Sequence, residues 1–548
     1  MGDSQPLIRN RKSVYRWESL TRRYPIEEAL QEEEANTAGL NKCLTAIDII
    51  SYGVGSTVGA GVFVSIGNAI QTTAGPGTLL SFVFAAFACL ISAFCYSEFS
   101  TKIPVSGSAY SFAYVALGEF TGWFIGWNLT LEYAISASAV ARGWAGYFET
   151  VFSVFNKTAP EWITGYSINS VINFAPIAPA IIIVCTIVLI FGVKDSSRFN
   201  LAITCVNIVT ILFFIILGAI HVDYKNWNPF LPFGFAGVFK GCSRIFFSFV
   251  GFDSVTTLSG EVKNPKRDLP IGIVGTLIIA TSLYVGVSLV LSGVVNYVNV
   301  NLQSPLSSAF ISIDMRWAAG LVAMGTLTSL TASTLCSLLG QPRIYLQMAK
   351  DGLFFKKFAE VDPKTQVPIF GTVFTGVFAS ILAVSLNLDE LSNMISIGTL
   401  LAFTVVCAGV VVLRFRDDNG VEPYRIQSPI FLLAFFIIAT IFGLCGGYSW
   451  SIAVQIPCAV LLVAIIVFLT FFRKQQSVPT TFKCPLVPVV PLVGIFVNTY
   501  IIMQLDIASL YRVIVWTALG SVIYFGYGIR NSKLNRMYDD EVSNSINQ

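Results

Sequence analysis

The sequence predicts an all-α polytopic membrane protein. Three observations predict it. Of 548 residues, 54% are hydrophobic and only 12% charged, about half the charge of an average soluble chain. The apolar residues gather into runs of bilayer length, and the basic residues between the runs alternate from one side to the other. A soluble fold of this size could not cover such an apolar inventory. Long uninterrupted runs also exclude a β-barrel, whose strands are shorter and alternate apolar with polar. A net charge of +3 gives no ground for a nucleic-acid partner. The single histidine, His221, leaves no His-based metal site or proton relay. The cysteines sit mostly inside apolar runs (Cys89, Cys95, Cys185, Cys205, Cys336, Cys407, Cys458) without a CxxC spacing. They therefore read as small hydrophobic residues, and no cofactor or metal is expected.

The chain opens on about forty polar residues, with Arg9, Arg11, Lys12, Arg16, Arg22 and Arg23 followed by Glu32, Glu33 and Glu34. An early apolar stretch, which a cleavable signal peptide requires, is missing. Pro6 spoils the Gly2 context for myristoylation. The segment reads as a mobile cytoplasmic tail. Beyond it lie roughly fourteen apolar runs, each near the 20 residues a bilayer core requires. They centre near Gly59, Ala88, Leu131, Ile183, Leu212, Phe249, Leu283, Leu330, Phe378, Val405, Ile438, Leu461, Ile495 and Val515. With the amino terminus inside, most of the 34 basic residues fall in the tails and inner loops, which hold Lys263, Lys266, Arg267, Lys350, Lys356, Lys357, Arg414, Arg416, Arg473 and Lys474. The outer loops hold only a few, such as Lys157, Lys225 and Arg316. Both termini are thus expected in the cytoplasm. The sequon Asn156-Lys157-Thr158 falls in an outer loop.

Two runs are interrupted. The first carries four glycines, Gly53, Gly55, Gly59 and Gly61, each costing about 1 kcal/mol in a helix interior. Unwound backbone at membrane depth persists only where it lines a cavity or meets a ligand, because bare amides and carbonyls in lipid cost several kcal/mol. The sixth run breaks at Ser248-Phe249-Val250-Gly251-Phe252-Asp253-Ser254, an acid and hydroxyls inside an aromatic stretch. The breaks stand five runs apart, at corresponding places in two halves. That is the pattern of an inverted-repeat secondary transporter with a midplane site. Amides at a half-helix start attract a carboxylate and freed carbonyls accept from an ammonium, which suits an amino acid backbone. Charges at membrane depth add a second pointer. Glu132 and Arg142 lie in the third run, Arg244 and Asp253 in the sixth. Either acids and bases neutralise one another between helices, or Glu132 and Asp253 set a negative field that favours a cation.

Over residues 40 to 530 the sequence resembles the amino acid–polyamine–organocation superfamily, and within it the cationic amino acid transporter branch. The resemblance rests on GVGSTVGAGVFV in the first run, CYSEFSTKIPVSGSAYSFAYVALGE after the second and GWNLTLEYAISASAVARGW in the third. GFDSVTTLSGEVKNPKRDLPIGI in and after the sixth, and GQPRIYLQMAKDGL in the eighth, complete it. It implies a five-plus-five inverted-repeat core of the LeuT type over residues 43–420 and additional helices over 421–530. These lie between a tail of residues 1–42 and a tail of residues 531–548, for about 14 spans in all. It further implies that the amides of Gly59, Ala60 and Gly61 receive the substrate carboxylate, and that the carbonyls of Phe247, Ser248 and Val250 receive its α-ammonium. Phe247 resembles the aromatic gate. Ser337 matches a position facing the substrate side chain, where a small hydroxyl leaves room for a long cationic chain; a packing serine is the alternative. Proton-coupled relatives carry a fifth-span lysine where this chain has Asn207, which implies potential-driven uniport and leaves coupling through Glu119, Glu132 or Asp253 open.

The expected partners are an amino acid and the lipid bilayer, with the plasma membrane as the first location and a vacuolar or lysosomal membrane as the other. Arginine, lysine and ornithine are the expected cargo, with neutral amino acids or polyamines as the alternative. A non-transporting amino acid sensor is the alternative of a different class. No nucleophile–base pair or phosphate loop suggests an enzyme.

Overall fold

The computed structural model describes residues 19–37, 44–59, 61–105, 107–160, 166–167, 173–191, 197–365, 367–416, 427–447, 452–535 and 537. Ala60, most of the amino-terminal basic run and Arg425 lie outside the described residues. The helices follow the apolar runs. After the amino-terminal α1 (Ile26–Thr37) come α2 (Ala46–Thr57), α3 (Thr78–Lys102), α4 (Ser108–Ala116) and α5 (Glu119–Val154). Next are α6 (Ile177–Ile190), α7 (Ser197–Ala219), α8 (Gly234–Ile245), α9 (Pro265–Val294), α10 (Pro305–Ser312) and α11 (Arg316–Lys350). Then follow α12 (Ile369–Ser385), α13 (Leu388–Phe415), α14 (Ser428–Gly447), α15 (Ile452–Phe471), α16 (Val489–Met503) and α17 (Ile507–Ile523). The described strands are a two-residue pair, Tyr166–Ser167 against Asn173–Phe174. Among the described residues, nine helical stretches are long and apolar enough to cross a membrane, and α6, α12 and α16 are shorter apolar helices. The 36 residues of α5 reach about 54 Å, well beyond a bilayer core.

The helices bury polar, small and aromatic residues together and leave many bulky aliphatic ones on the outside. On α9, Thr276, Ala280, Tyr284, Val287 and Leu291 are buried, while Ile271, Ile278 and Leu289 are exposed. Ile183, Ile216, Val377, Leu461 and Val515 continue this apolar exterior around the molecule, a surface that lipid tails solvate. The inner surfaces hold together by close packing and hydrogen bonds rather than by expelling water. α5 is the central post, packed chiefly on α11 and α13, while α9 packs on α3 and α2.

The last helices are registered to the rest by a buried ion pair. Glu98 of α3 takes Arg414 of α13 in two-point contact, Oε1 to Nε at 2.7 Å and Oε2 to Nη2 at 2.8 Å. The two side chains are 5% and 4% exposed. The backbone amide of Cys484 donates to the same Glu98 carboxylate at 2.7 Å, and Gln475 accepts from Arg414 Nη1 at 3.1 Å. The connection between α15 and α16 is thereby tied to α3 and α13. The amino-terminal segment, expected to be mobile, is packed from Ser19 to Thr37. Its Tyr24 is buried against Tyr114 of α4, and Arg22 reaches Asn535 near the other terminus. The first and last described segments therefore lie on one face.

Candidate functional site

The two interruptions lie against each other in the middle of the bundle. α2 stops at Thr57, and Val58 leaves the helix at φ −80°, ψ 89°. The chain then resumes as π-helical turns at Gly61–Ser65 and Ala69–Ala74, separated by one α-helical turn. π-turns are rare and gather at functional sites. In the sixth run α8 tightens into a 3-10 turn at Phe246–Phe249, and Val250 is extended. Gly251 turns at φ +114°, a conformation that side chains disfavour. A 3-10 stretch, Asp253–Glu261, follows.

Glycine makes the contact between the breaks possible. A Cβ on Gly61 would lie 2.2 Å from Ser248 Cα, and one on Gly251 would lie 2.8 Å from Ser56 O. Ser254 Oγ donates to Ser56 Oγ at 3.1 Å. The hydroxyl of Tyr284, on α9, sits 2.9 Å from Thr57 O and 2.8 Å from Ser248 O, one carbonyl from each break. It has a single proton to give, so it serves the two carbonyls in turn. Asn207 of α7 is buried; its amide reaches Val58 O at 3.4 Å while its oxygen accepts from Ser329 of α11. A neutral side chain thus bridges the first break to α11.

The structure brings Glu132 of α5 and Asp253 of the second break together. Both are buried, with carboxyl groups within reach of one another, the Thr399 hydroxyl of α13 beside Glu132 and backbone amides near Gly251 turned to Asp253. At full hydrogen-bond geometry none of their four oxygens has a partner. Among the described residues no ion pair engages either acid. The two membrane arginines go elsewhere. Arg142 donates to Ala383 O at 2.6 Å and Val384 O at 3.2 Å, capping the end of α12. Arg244 donates to Asn68 at 2.6 Å and approaches Asp506 at 4.0 Å. These bonds of the two arginines go to other groups, and the carboxyl groups of Glu132 and Asp253 lie side by side.

Phe247 is buried at the second break and Val250 is partly buried. Ser248 Oγ and Thr57 Oγ1 are buried without partners. Ser337 faces Ser136 of α5 across 3.3 Å, and Ser333, one turn earlier, stands against Gly59, whose Cβ would meet its Oγ at 2.7 Å. Gly59 and Gly61 are therefore in the same neighbourhood as Phe247, Ser248 and Asp253. Sequence reasoning missed Tyr284, Thr399, Ser136 and Ser333. Each is one hydroxyl among many in apolar helices, and only the helix packing turns them to the site. Such an arrangement gathers carbonyls, hydroxyls and two carboxyl groups in one buried region.

Comparison with known proteins gives the family. The family model described as amino acid permease matches residues 44–496, and that for the C-terminus of AA_permease matches residues 482–532. The chain is 35% identical to the protein named cationic amino acid transporter 4, vacuolar, of Arabidopsis thaliana, over 94% of this chain and 96% of that one. It is also 35% identical to the methylthioribose transporter of Bacillus subtilis, over 94% and 100%. The same identity holds to the branched-chain amino acid permease BcaP of that organism, over 93% and 98%. These names describe carriers rather than enzymes, and their length matches the chain nearly end to end. The chain is an integral, multi-pass membrane protein of the amino acid permease family, within the amino acid–polyamine–organocation superfamily.

Proposed function

We propose that the chain carries cationic L-amino acids (arginine, lysine, ornithine) across the membrane by alternating access around the two breaks. The observation that carries this reading is the pair Glu132 and Asp253, buried side by side. Carboxyl groups this close share a proton and keep about one negative charge between them, and a bound ammonium or guanidinium would balance that charge, which costs at least about 2.5 kcal/mol near the bilayer centre. In this reading the amides of Gly59, Ala60 and Gly61 take the substrate carboxylate. The carbonyls of Phe247, Ser248 and Val250 take the α-ammonium. Ser248 O already accepts from Tyr284 and keeps its second lone pair for the substrate. Phe247 closes over the bound molecule, and Ser337 with Ser136 leaves space for a long side chain.

Asn207 cannot take up or release a proton, which supports potential-driven uniport. The driving force on one positive charge is about 2.3 kcal/mol per 100 mV. The contact of residues 22–24 with residues 533–535, together with the concentration of basic residues in alternate loops, supports termini in the cytoplasm. We place the chain in the plasma membrane, with an inverted-repeat core over 43–420 and additional helices over 421–530. A branched-chain permease and a methylthioribose transporter among the relatives support a second reading, a carrier of neutral or broader cargo.

Uptake of radiolabelled arginine into proteoliposomes separates the two. Uptake driven by an interior-negative potential, blocked by lysine and indifferent to a pH gradient, is the expected result. Absence of arginine uptake beside clear leucine uptake overturns the cationic assignment, and dependence on a pH gradient overturns uniport.

A further inference from the structure

Two helices end against one hydroxyl. Thr57 is the last residue of α2, and Ser248 lies in the 3-10 turn that closes α8, so both carbonyls stand at the negative ends of half-helices. Both residues are buried, and among the described residues no backbone amide donates to either carbonyl. Tyr284 Oη stands 2.9 Å from Thr57 O and 2.8 Å from Ser248 O. The Tyr284 ring is fully buried on α9 and held from two sides. Phe82 of α3 lies with its ring centre 5.4 Å away, and Phe249, in the second break, meets it edge-on at 5.3 Å. Packing thus places the ring, and rotation of the hydroxyl alone selects between the two carbonyls.

A phenol has one proton to give, so it satisfies one helix end at a time. The other buried carbonyl is left without that donor, which is costly. A bound ammonium supplies the second donor, and here the inference rests on the reading in which Ser248 O takes the α-ammonium. We infer that Tyr284 is a positioning residue for that ammonium. The ammonium donates to Ser248 O as a charged and stronger donor, and the phenol proton settles on Thr57 O. Both helix ends are then satisfied together only while a ligand with an amine N–H is bound. Tyr284 thereby fixes the spacing at which the amides of the first break and the carbonyls of the second grip one amino acid. The substrate side chain plays no part in this, so the role is the same for arginine and for leucine. Tyr147 of α5 offers the contrast: it is also fully buried, but it donates to a single carbonyl, Phe63 O, at 2.6 Å.

Tyr284→Phe keeps the ring between Phe82 and Phe249 and removes the donor. Uptake into proteoliposomes is measured with arginine and with leucine, using whichever is carried, each variant being assayed below its own unfolding midpoint. Tyr284→Phe is expected to raise KM about 3- to 10-fold, the worth of one neutral hydrogen bond, with the maximal rate nearly unchanged. Gly61→Ala disturbs the same spacing from the other side, because its Cβ would press on the Ser248 backbone. Once the breaks are parted the hydroxyl has little left to hold, so the double variant is expected within about twofold of Gly61→Ala alone. Tyr147→Phe loses a hydrogen bond of the same kind on one break only; it is expected to lower the midpoint and to combine independently with Gly61→Ala. In the unaltered protein, the deaminated analogue of the carried substrate (5-guanidinopentanoate or 4-methylpentanoate) is expected to compete at least about tenfold more weakly than the amino acid. Equal competition would take the ammonium away from Ser248 O and overturn the reading of the breaks together with this inference. Weak competition beside an unchanged KM in Tyr284→Phe overturns the role of Tyr284 alone. So does independent combination of Tyr284→Phe with Gly61→Ala, or an equal coupling in Tyr147→Phe.

Discussion

Replacing Gly61 by alanine tests whether the two breaks form one site. The added Cβ would lie 2.2 Å from Ser248 Cα, 2.5 Å from its Oγ and 2.7 Å from its Cβ. The nearest of these is backbone, so no rotamer change relieves the contact. Ordinary van der Waals contact begins at 3.4 Å, and 3.4 less 2.2 requires the breaks to part by about 1.2 Å. Overpacking of this kind costs about 1–3 kcal/mol of stability. The effect on binding is larger in consequence, because an error near 1 Å in a preorganised site costs on the order of 100-fold. Gly320→Ala is the matched control. It adds the same methyl in α11, where the closest atom is Val154 Cγ1 at 3.5 Å, and helix propensity favours alanine there by about 1 kcal/mol. Thermal unfolding of the purified protein and saturation of arginine uptake in proteoliposomes give both numbers. Gly61→Ala is expected to lower the midpoint and raise KM by roughly 10- to 100-fold, while Gly320→Ala leaves uptake unchanged. Native KM in Gly61→Ala would refute the reasoning, because it would mean that the substrate does not depend on how closely the two breaks approach.

Glu132→Gln keeps the shape of the acid pair and removes its capacity to ionise as a cation binds; arginine KM is expected to rise by about 10- to 100-fold, the worth of 1.5–3 kcal/mol for a charged hydrogen bond, in a competition assay where leucine is much less affected. Glu98→Gln leaves Arg414 buried without its counter-charge and is expected to cost about 3–5 kcal/mol. It should be read as a lower unfolding midpoint that Glu98→Gln with Arg414→Met partly restores. Burial pushes the Asp351 carboxyl up to about 6 against an ordinary 3.8, with Tyr110 and Gln347 donating to it and Lys533 and Glu32 facing it. Packing of the terminal segments thus favours its protonated form. That contribution is complete below pH 3.8 and disappears as pH rises through 6, at most about 3 kcal/mol. The protection of residues 20–32 relative to their intrinsic, base-catalysed exchange rate is expected to fall from pH 5 to 7, and Asp351→Asn to flatten that fall.

What was readable in the sequence and what was not divide along one physical line. Apolar runs and glycine clusters are properties of consecutive residues, so the helices and both breaks were visible as soon as bilayer length was the measuring rule. Membrane acids are visible for the same reason: one charge among twenty apolar residues stands out. Their pairing was not visible, because Glu132 and Asp253 meet only when α5 and the second break pack together. Spacing offered Arg142 and Arg244 as equally good partners, yet α12 ends beside one and Asn68 beside the other. Tyr284 carries no signal at all. A tyrosine in an apolar helix is ordinary, and its role rests on two carbonyls freed by breaks more than 30 and 220 residues upstream. The terminal segments mislead most, since charge-rich ends read as solvated tails. They pack here because each supplies what the other lacks: Tyr24 and Glu32 from one end form the ring and the acid, and Lys533 from the other supplies the cation. A segment that packs only on another terminal segment leaves no periodicity in either, so these polar, charged stretches look unstructured to a span-by-span reading although they pack.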